Sequence, residues 1–207
     1  MSQLPTHLRQ ISLFLERLPG IGAKSANRLA YFFLRLPESD LQNFASHVMR
    51  LKSETKYCSN CYNLTETEMC EICTDPDRNQ GLITVVENVL DLLSFETGNI
   101  NKGVYHVLHG RIDPLNHMTP DDIFLPQLLD RVKKMGDKVE EIILATNPNM
   151  EGEATAMYIR ARLEEVKKDL NLTFKISRLG YGLPIGAHLE YADYMTLGKA
   201  IENRNQY

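Results

Sequence analysis

The chain has 207 residues, enough for one or two compact domains, and 43% of them are hydrophobic, an ordinary fraction for a protein with a buried core. Its net charge of −4 argues against nucleic-acid binding by the whole surface. The charge is uneven, however: residues 1–56 hold eight Lys or Arg against four Asp or Glu, whereas residues 57–78 hold one against five. A contact with a polyanion is therefore expected in the first quarter, unless the difference is a chance fluctuation.

No apolar run approaches the about 20 residues that a membrane span needs. The first residues, Met1 to Pro5, lack the basic and apolar regions of a secretory signal. We therefore expect no membrane contact and a cytoplasmic location.

Residues 1–54 are predicted to form a first, helical domain with three helices. Apolar residues recur at helical spacing from Leu8 to Leu18 and again from Ala23 to Leu34. A third helix is expected to start with a capping box at Ser39. Its predicted buried face consists of Leu41, Phe44, Ala45, Val48 and Met49.

A glycine hinge separates the first two helices, in the sequence Leu-Pro-Gly-Ile-Gly at 18–22. Gly20 and Gly22 permit positive φ and close backbone approach. The free N–H groups that begin the second helix form a natural phosphate site, and Lys24 and Arg28 share one helix face beside them. The stretch resembles the hairpin of helix-hairpin-helix DNA-binding modules. The alternative is an ordinary turn with solvated cations. A P-loop is rejected, because no strand precedes the glycines and their spacing does not match.

Four cysteines stand in two Cys-x2-Cys pairs, and the chain has no others. Cys58, Cys61, Cys70 and Cys73 meet the preference of Zn²⁺ for four tetrahedral thiolates, and such a closed shell is structural. Two disulfides or a redox pair are the alternatives, and a cytosolic location disfavours the disulfides. We therefore predict one structural zinc ion per chain in a zinc finger at residues 55–78. Its ligands are expected to brace the joint between the helices and the domain that follows.

Residues 79–178 are predicted to form an α/β domain with a parallel, Rossmann-like sheet. Strands are expected at 82–86, 103–108, 139–145 and 174–179, with helices near 89–95, from Thr119, and over 151–166. Functional groups in such sheets collect at the carboxyl ends of the strands. Residues 179–207 remain as a C-terminal segment.

Acidic residues follow two of these strands. Glu87 ends the first, and Glu151 and Glu153 follow the third. This pattern resembles the Toprim domain of topoisomerases, primases and some nucleases, whose active members carry two Mg²⁺-binding aspartates where this chain has Asn147 and Asn149. Three interpretations stay open: a weak Mg²⁺ site, which we do not expect, carboxylates that complement a helix dipole, or an acidic patch for a protein partner.

The order of the modules resembles the RecR family of bacterial recombination mediators along nearly the whole chain. The stretches LHGRIDPL at 108–115, ATNP at 145–148, EGEAT at 151–155 and RLGYGLP at 178–184 carry the resemblance. It implies a ring-shaped homo-oligomer, often a tetramer, that acts with RecO and RecF to help load RecA onto single-stranded DNA. It also implies that Lys24 and Arg28 contact single- and double-stranded DNA and that the Toprim face, with Glu151, meets RecO.

Two functional hypotheses follow. The first is a non-catalytic, DNA-binding mediator of recombinational DNA repair. The second is a Mg²⁺-dependent Toprim nuclease or topoisomerase-like enzyme. Asn147 and Asn149 favour the first, because neutral amides are poor ligands for Mg²⁺.

Overall fold

The computed structural model describes residues 4–204. Residues 1–3 and 205–207 lie outside the described residues. The first group belongs to the predicted first domain and to the stretch examined for a secretory signal, and the second group belongs to the predicted C-terminal segment. The chain divides into two compact units, Met1–Thr55 and Lys56–Tyr207. The four cysteines belong to the second unit. Across residues 4–204, no helix combines the length and the apolar character that crossing a bilayer requires.

The first unit consists of three helices: α1 (Thr6–Leu15), α2 (Ala23–Phe33) and α3 (Glu38–Glu54). Small residues let α2 approach α1: Ala26 and Ala30 of α2 are completely buried, and Leu8 of α1 is buried as well. The Ser12 hydroxyl donates a hydrogen bond to Asn27 Oδ1 at 2.8 Å and fixes the pairing of the two helices. The two predicted helices around the glycine hinge are thus present.

Two sequence predictions for α3 are wrong. The helix begins at Glu38, directly after Pro37, and the Ser39 hydroxyl bonds to the Asp40 side chain instead of capping the helix. No residue of α3 is buried in the single chain, and Met49 is 82% exposed. Phe44 contacts the Phe33 ring at 5.3 Å between centroids, but so small a unit cannot cover an entire apolar helix face.

The second unit is α/β and carries its elements in this order: β1 (Lys56–Tyr57), β2 (Leu64–Thr65), α4 (Glu71–Thr74), β3 (Asn79–Val86), α5 (Val89–Thr97), β4 (Gly103–Val107), α6 (Leu125–Met135), β5 (Glu141–Ala145), α7 (Met150–Asp169), β6 (Lys175–Arg178) and α8 (Tyr194–Glu202). Strands β1 and β2 form a small antiparallel hairpin. The other four form one parallel sheet in the order β4-β3-β5-β6. This confirms the predicted fold class.

Both faces of the parallel sheet are covered, as the continuous apolar strands require. On one face, Ile83 and Val85 pack in a large core with residues of α6 and α7 such as Leu128 and Ile159. On the other face, Val86, Tyr105 and Val107 pack with Leu92 of α5. Because β3 and β5 are parallel neighbours, with Val86 opposite Ala145, their carboxyl ends lie side by side and place Glu87 next to the 146–153 segment.

Helix α6 begins later than predicted. Asp122 accepts hydrogen bonds from the backbone N–H of Thr119, at 2.8 Å, and from its hydroxyl. These bonds close a turn only, because the Phe124 N–H donates to Leu108 O at the end of β4 and leaves the helical pattern. The helix then starts at Leu125 with Pro126 in its first turn, where the missing N–H costs nothing.

Candidate functional site

The four cysteines form a buried cluster with the geometry of a metal centre. Their sulfur atoms all lie within 4.8 Å of one another, and Cys61 Sγ is 3.5 Å from Cys70 Sγ. A zinc ion with four bonds of about 2.3 Å would separate its sulfurs by roughly 3.8 Å. The β1–β2 hairpin presents the first pair, and α4 presents the second. The cluster therefore fits Zn²⁺, and it is the only such group of His, Cys, Asp or Glu found among residues 4–204.

Neighbouring N–H groups point at the sulfurs. The Cys70 N–H donates to Cys58 Sγ at 3.3 Å, the Asn63 N–H donates to Cys61 Sγ at 3.5 Å, and Asn60 Nδ2 donates to Cys73 Sγ at 3.5 Å. Hydrogen bonds with Cys70 and Cys73 raise the pKa of the Cys61 thiol far above its ordinary value. Adjacent thiolates are thus unfavourable without a cation, and the N–H donors suit sulfurs that carry charge.

The cysteine finger packs tightly on the parallel sheet. Tyr62 has a left-handed backbone, with φ of 62°, and its ring stacks on Phe124 at 4.4 Å between centroids. The Val107 N–H at the end of β4 donates to Cys61 O at 2.8 Å, and Ile72 packs against the core. Sequence analysis missed this attachment, because the spacing of the cysteines does not indicate which residues the aromatic ring of Tyr62 will contact.

The hinge between α1 and α2 is a type II turn. Pro19 and Gly20 occupy its central positions, Gly20 has φ of 80°, and the Ile21 N–H donates to Leu18 O at 3.1 Å. Gly22 has an ordinary φ of −89° and immediately precedes α2. Gly20 is therefore the glycine whose conformation the turn requires.

Lys24 and Arg28 are exposed on α2, and within residues 4–204 neither forms an ion pair. No side chain caps α2, and its first turn has no acidic residue. Sequence analysis missed Arg35, which lies seven residues beyond Arg28 and lines a groove with it beside Tyr31. The start of α2 thus joins free N–H groups with unpaired cations, as an anion-binding surface needs.

Glu87 lies at the carboxyl edge of the sheet, where the sequence left a weak Mg²⁺ site open, but it is only 1% exposed. Asn147 holds both of its oxygens: the backbone N–H donates to Oε1 and Nδ2 donates to Oε2, each at 2.7 Å. Gly152 makes room for this clamp, because a Cβ there would collide with Asn147 O and with Glu87 Oε1. Glu87 therefore offers no exposed surface to a protein partner in this conformation.

Glu151 and Glu153 differ in their surroundings. Both lie in the first turn of α7, which Asn149 caps with a 2.8 Å hydrogen bond from the Gly152 N–H. Glu153 accepts hydrogen bonds from Arg178, at 2.6 Å, and from Tyr181. Burial raises the pKa of Glu153, but these bonds outweigh burial and hold it below its ordinary value. Glu153 thus holds Tyr181 of the C-terminal segment, whereas the Glu151 side chain has no such partner within residues 4–204.

The fold and these sites define a multidomain protein in which a helix-hairpin-helix module, a four-cysteine metal centre and a Toprim domain are joined in one chain. Models of known families match these parts in the same order: the RecR helix-hairpin-helix at 10–50, the RecR four-cysteine zinc finger domain at 55–75, the Toprim domain at 81–179 and the RecR C-terminal region at 182–205.

Curated relatives match the chain over nearly its full length. The recombination protein RecR of Roseiflexus castenholzii is 43% identical over 98% of this chain and 95% of its own. That of Carboxydothermus hydrogenoformans is 45% identical over 92% of both chains, and that of Roseiflexus sp. strain RS-1 is 45% identical over 98% and 95%. The chain belongs to the RecR family of recombination proteins.

Proposed function

We propose that this protein is a non-catalytic mediator of recombinational DNA repair that binds single- and double-stranded DNA and acts with RecO and RecF to help load RecA. Membership of the RecR family supports the role in recombination. The observation that carries the non-catalytic part is the clamp on Glu87, since Glu87 is almost completely buried and both of its oxygens already accept hydrogen bonds from Asn147 in place of a metal ligand. The same proposal includes a structural zinc ion and domain boundaries near residues 54, 78 and 178. It also includes a cytoplasmic location, where thiols stay reduced.

The alternative, a Mg²⁺-dependent Toprim nuclease or topoisomerase-like enzyme, makes a different prediction. Purified protein should leave linear and supercoiled DNA unchanged when incubated with Mg²⁺. Cleavage or relaxation that is lost in Glu87→Gln would overturn the non-catalytic proposal and support the enzyme.

The proposed DNA contact is the start of α2, where Lys24 and Arg28 are free of carboxylates. Phosphate contacts give affinity that falls with salt, and each lost contact reduces the slope of log affinity against log salt by about 0.9 on duplex DNA. The double variant Lys24→Ala/Arg28→Ala should therefore bind weakly and lower the slope by about two. Lys133→Ala/Lys134→Ala, on the exposed face of α6, is the matched control. Equal affinity and slope in both variants would remove the hairpin from the DNA site.

The proposed RecO contact is the half-buried Glu151 at the start of α7. Charge reversal in Glu151→Lys should weaken RecO binding in a pull-down or by calorimetry, and Glu164→Lys, on the same helix, should not. Unchanged binding of Glu151→Lys would exclude this residue from the contact.

We further propose a ring-shaped homo-oligomer, often a tetramer in the family. Its support is the apolar surface of α3, since Phe44, Val48, Met49 and Leu51 are each at least half exposed in the single chain. Light scattering coupled to gel filtration should give a molecular mass that is a multiple of the 23.7 kDa of one chain. The substitution Met49→Glu should reduce that mass. A monomer at all concentrations would contradict the ring.

A further inference from the structure

Arg131 of α6 is a buried cation without a carboxylate partner. The residue is 7% exposed, and it takes part in none of the ion pairs formed within residues 4–204. One guanidinium nitrogen, Nη1, donates to Tyr105 O at 2.7 Å, and Nε has no acceptor within the same residues. Burial of an unpaired charge is strongly unfavourable, so a negative charge should lie nearby.

Arg131 lies beside the cysteine finger of residues 55–78, because its Nη1 donates to Tyr105 O in β4 and the Val107 N–H of the same strand donates to Cys61 O. Arg131 and Asn60 line one small cavity, and Asn60 Nδ2 in turn contacts Cys73 Sγ. The nearby His106 supplies no second cation, because complete burial lowers its pKa to about 3.

Four thiolates around one Zn²⁺ carry a net charge of −2, and the N–H donors to sulfur offset only part of it. We propose that Arg131 is the counter-ion of this metal centre and couples zinc binding to the stability of the Toprim domain. The inference rests on the proposal that zinc occupies the four-cysteine site. It extends that proposal, because α6 lies outside the cysteine finger.

The coupling has a direction that follows from the fold. Arg131 of α6 donates a hydrogen bond to the carbonyl of Tyr105 in β4. With the metal bound, its charge would also offset the negative charge of the four sulfurs. Without the metal, nothing holds four charged sulfurs together, and the guanidinium stays buried without a counter-charge. Chelation should therefore destabilise the parallel sheet and not only the cysteine finger.

The test compares Arg131→Met, which retains most of the side-chain length without the charge, with Arg131→Lys, which retains a charge. Lys133→Met is the matched control, since Lys133 is exposed on the same helix. Zinc affinity is measured on the full chain by competition with a chelator of known affinity. Loss of an outer partner typically weakens metal binding about 10–100-fold. We expect that loss for Arg131→Met, partial recovery for Arg131→Lys and the wild-type value for Lys133→Met.

A purely structural role for Arg131 would lower the melting temperature equally with and without metal. The counter-ion role predicts that chelation lowers the melting temperature of the wild type more than that of Arg131→Met. If Arg131→Met does not fold, the test instead compares the rate of zinc release from Arg131→Lys with that from the wild type. Faster release from Arg131→Lys is expected. The proposal would be overturned if Arg131→Met and the wild type had equal zinc affinities and equal changes in melting temperature on chelation. In the second test, equal rates of zinc release from Arg131→Lys and the wild type would overturn it. Purified protein without zinc by elemental analysis would instead refute occupancy of the site.

Discussion

The clamp on Glu87 can be tested by Asn147→Asp, which replaces a hydrogen-bond donor with a carboxylate. In the wild-type chain Asn147 Nδ2 donates to Glu87 Oε2 at 2.7 Å, in a site where Glu87 is almost completely buried. The substitution removes that bond and places a second negative charge at nearly the same distance.

The expected cost follows from these two terms. A hydrogen bond to a charged group contributes about 1.5–3 kcal/mol. Two like charges about 4 Å apart repel by about 4 kcal/mol at an effective dielectric constant of 20. Movement of the new side chain toward solvent relieves part of the repulsion. We therefore expect the free energy of unfolding to fall by about 3–5 kcal/mol.

Urea unfolding followed by circular dichroism, with and without millimolar Mg²⁺, measures this cost. Mg²⁺ should restore much of the stability of Asn147→Asp, because two carboxylates can share the cation. Asn147→Ala should lose only the hydrogen-bond contribution and should not respond to Mg²⁺. Asn149→Asp is the charge control, since Asp caps a helix as well as Asn does.

Two results would refute this reasoning. One is an Asn147→Asp variant as stable as the wild type in the absence of Mg²⁺. The other is a wild-type protein that Mg²⁺ stabilises as much as it stabilises the variant, since that response would mean that Glu87 is already available to metal.

Three further substitutions test other features of the structure. Gly20→Ala should cost about 1–2 kcal/mol of unfolding free energy, because only glycine tolerates φ of 80° without strain. Gly22→Ala, at an ordinary φ, should cost less, and a larger cost for Gly22→Ala than for Gly20→Ala would contradict the turn. Tyr62→Ala should cost about 2 kcal/mol or more through loss of the stack on Phe124, so unchanged stability in urea would argue against the packing. Glu153→Gln should be less stable than the wild type at neutral pH. Because the folded pKa of Glu153 is depressed, its contribution is present above the unfolded value of about 4.5 and is lost as pH falls through the folded value. The difference should therefore vanish in acid, and a difference that persists there would refute the assigned pairing.

The sequence by itself determined the modules and their order. The spacing of Cys58, Cys61, Cys70 and Cys73 predicted a four-cysteine centre, because metal ligands on tight turns are local in sequence. The apolar, β-branched strands predicted a parallel sheet, since their burial on both faces leaves a continuous pattern. The glycines of the stretch at 18–22 likewise predicted a hinge between two helices from local chemistry alone.

Only the tertiary structure decided how these modules use their polar and charged residues. Glu87 and Asn147 are 60 positions apart and meet because β3 and β5 are neighbours in the sheet. In the sequence, Arg131 resembles any other basic residue of an amphipathic helix, and only the fold buries it beside the cysteine finger. The exposed face of α3 is a similar case, because a helical pattern predicts an apolar face but not whether the same chain covers it. These are non-local questions of burial and partner, and no spacing along the sequence encodes them.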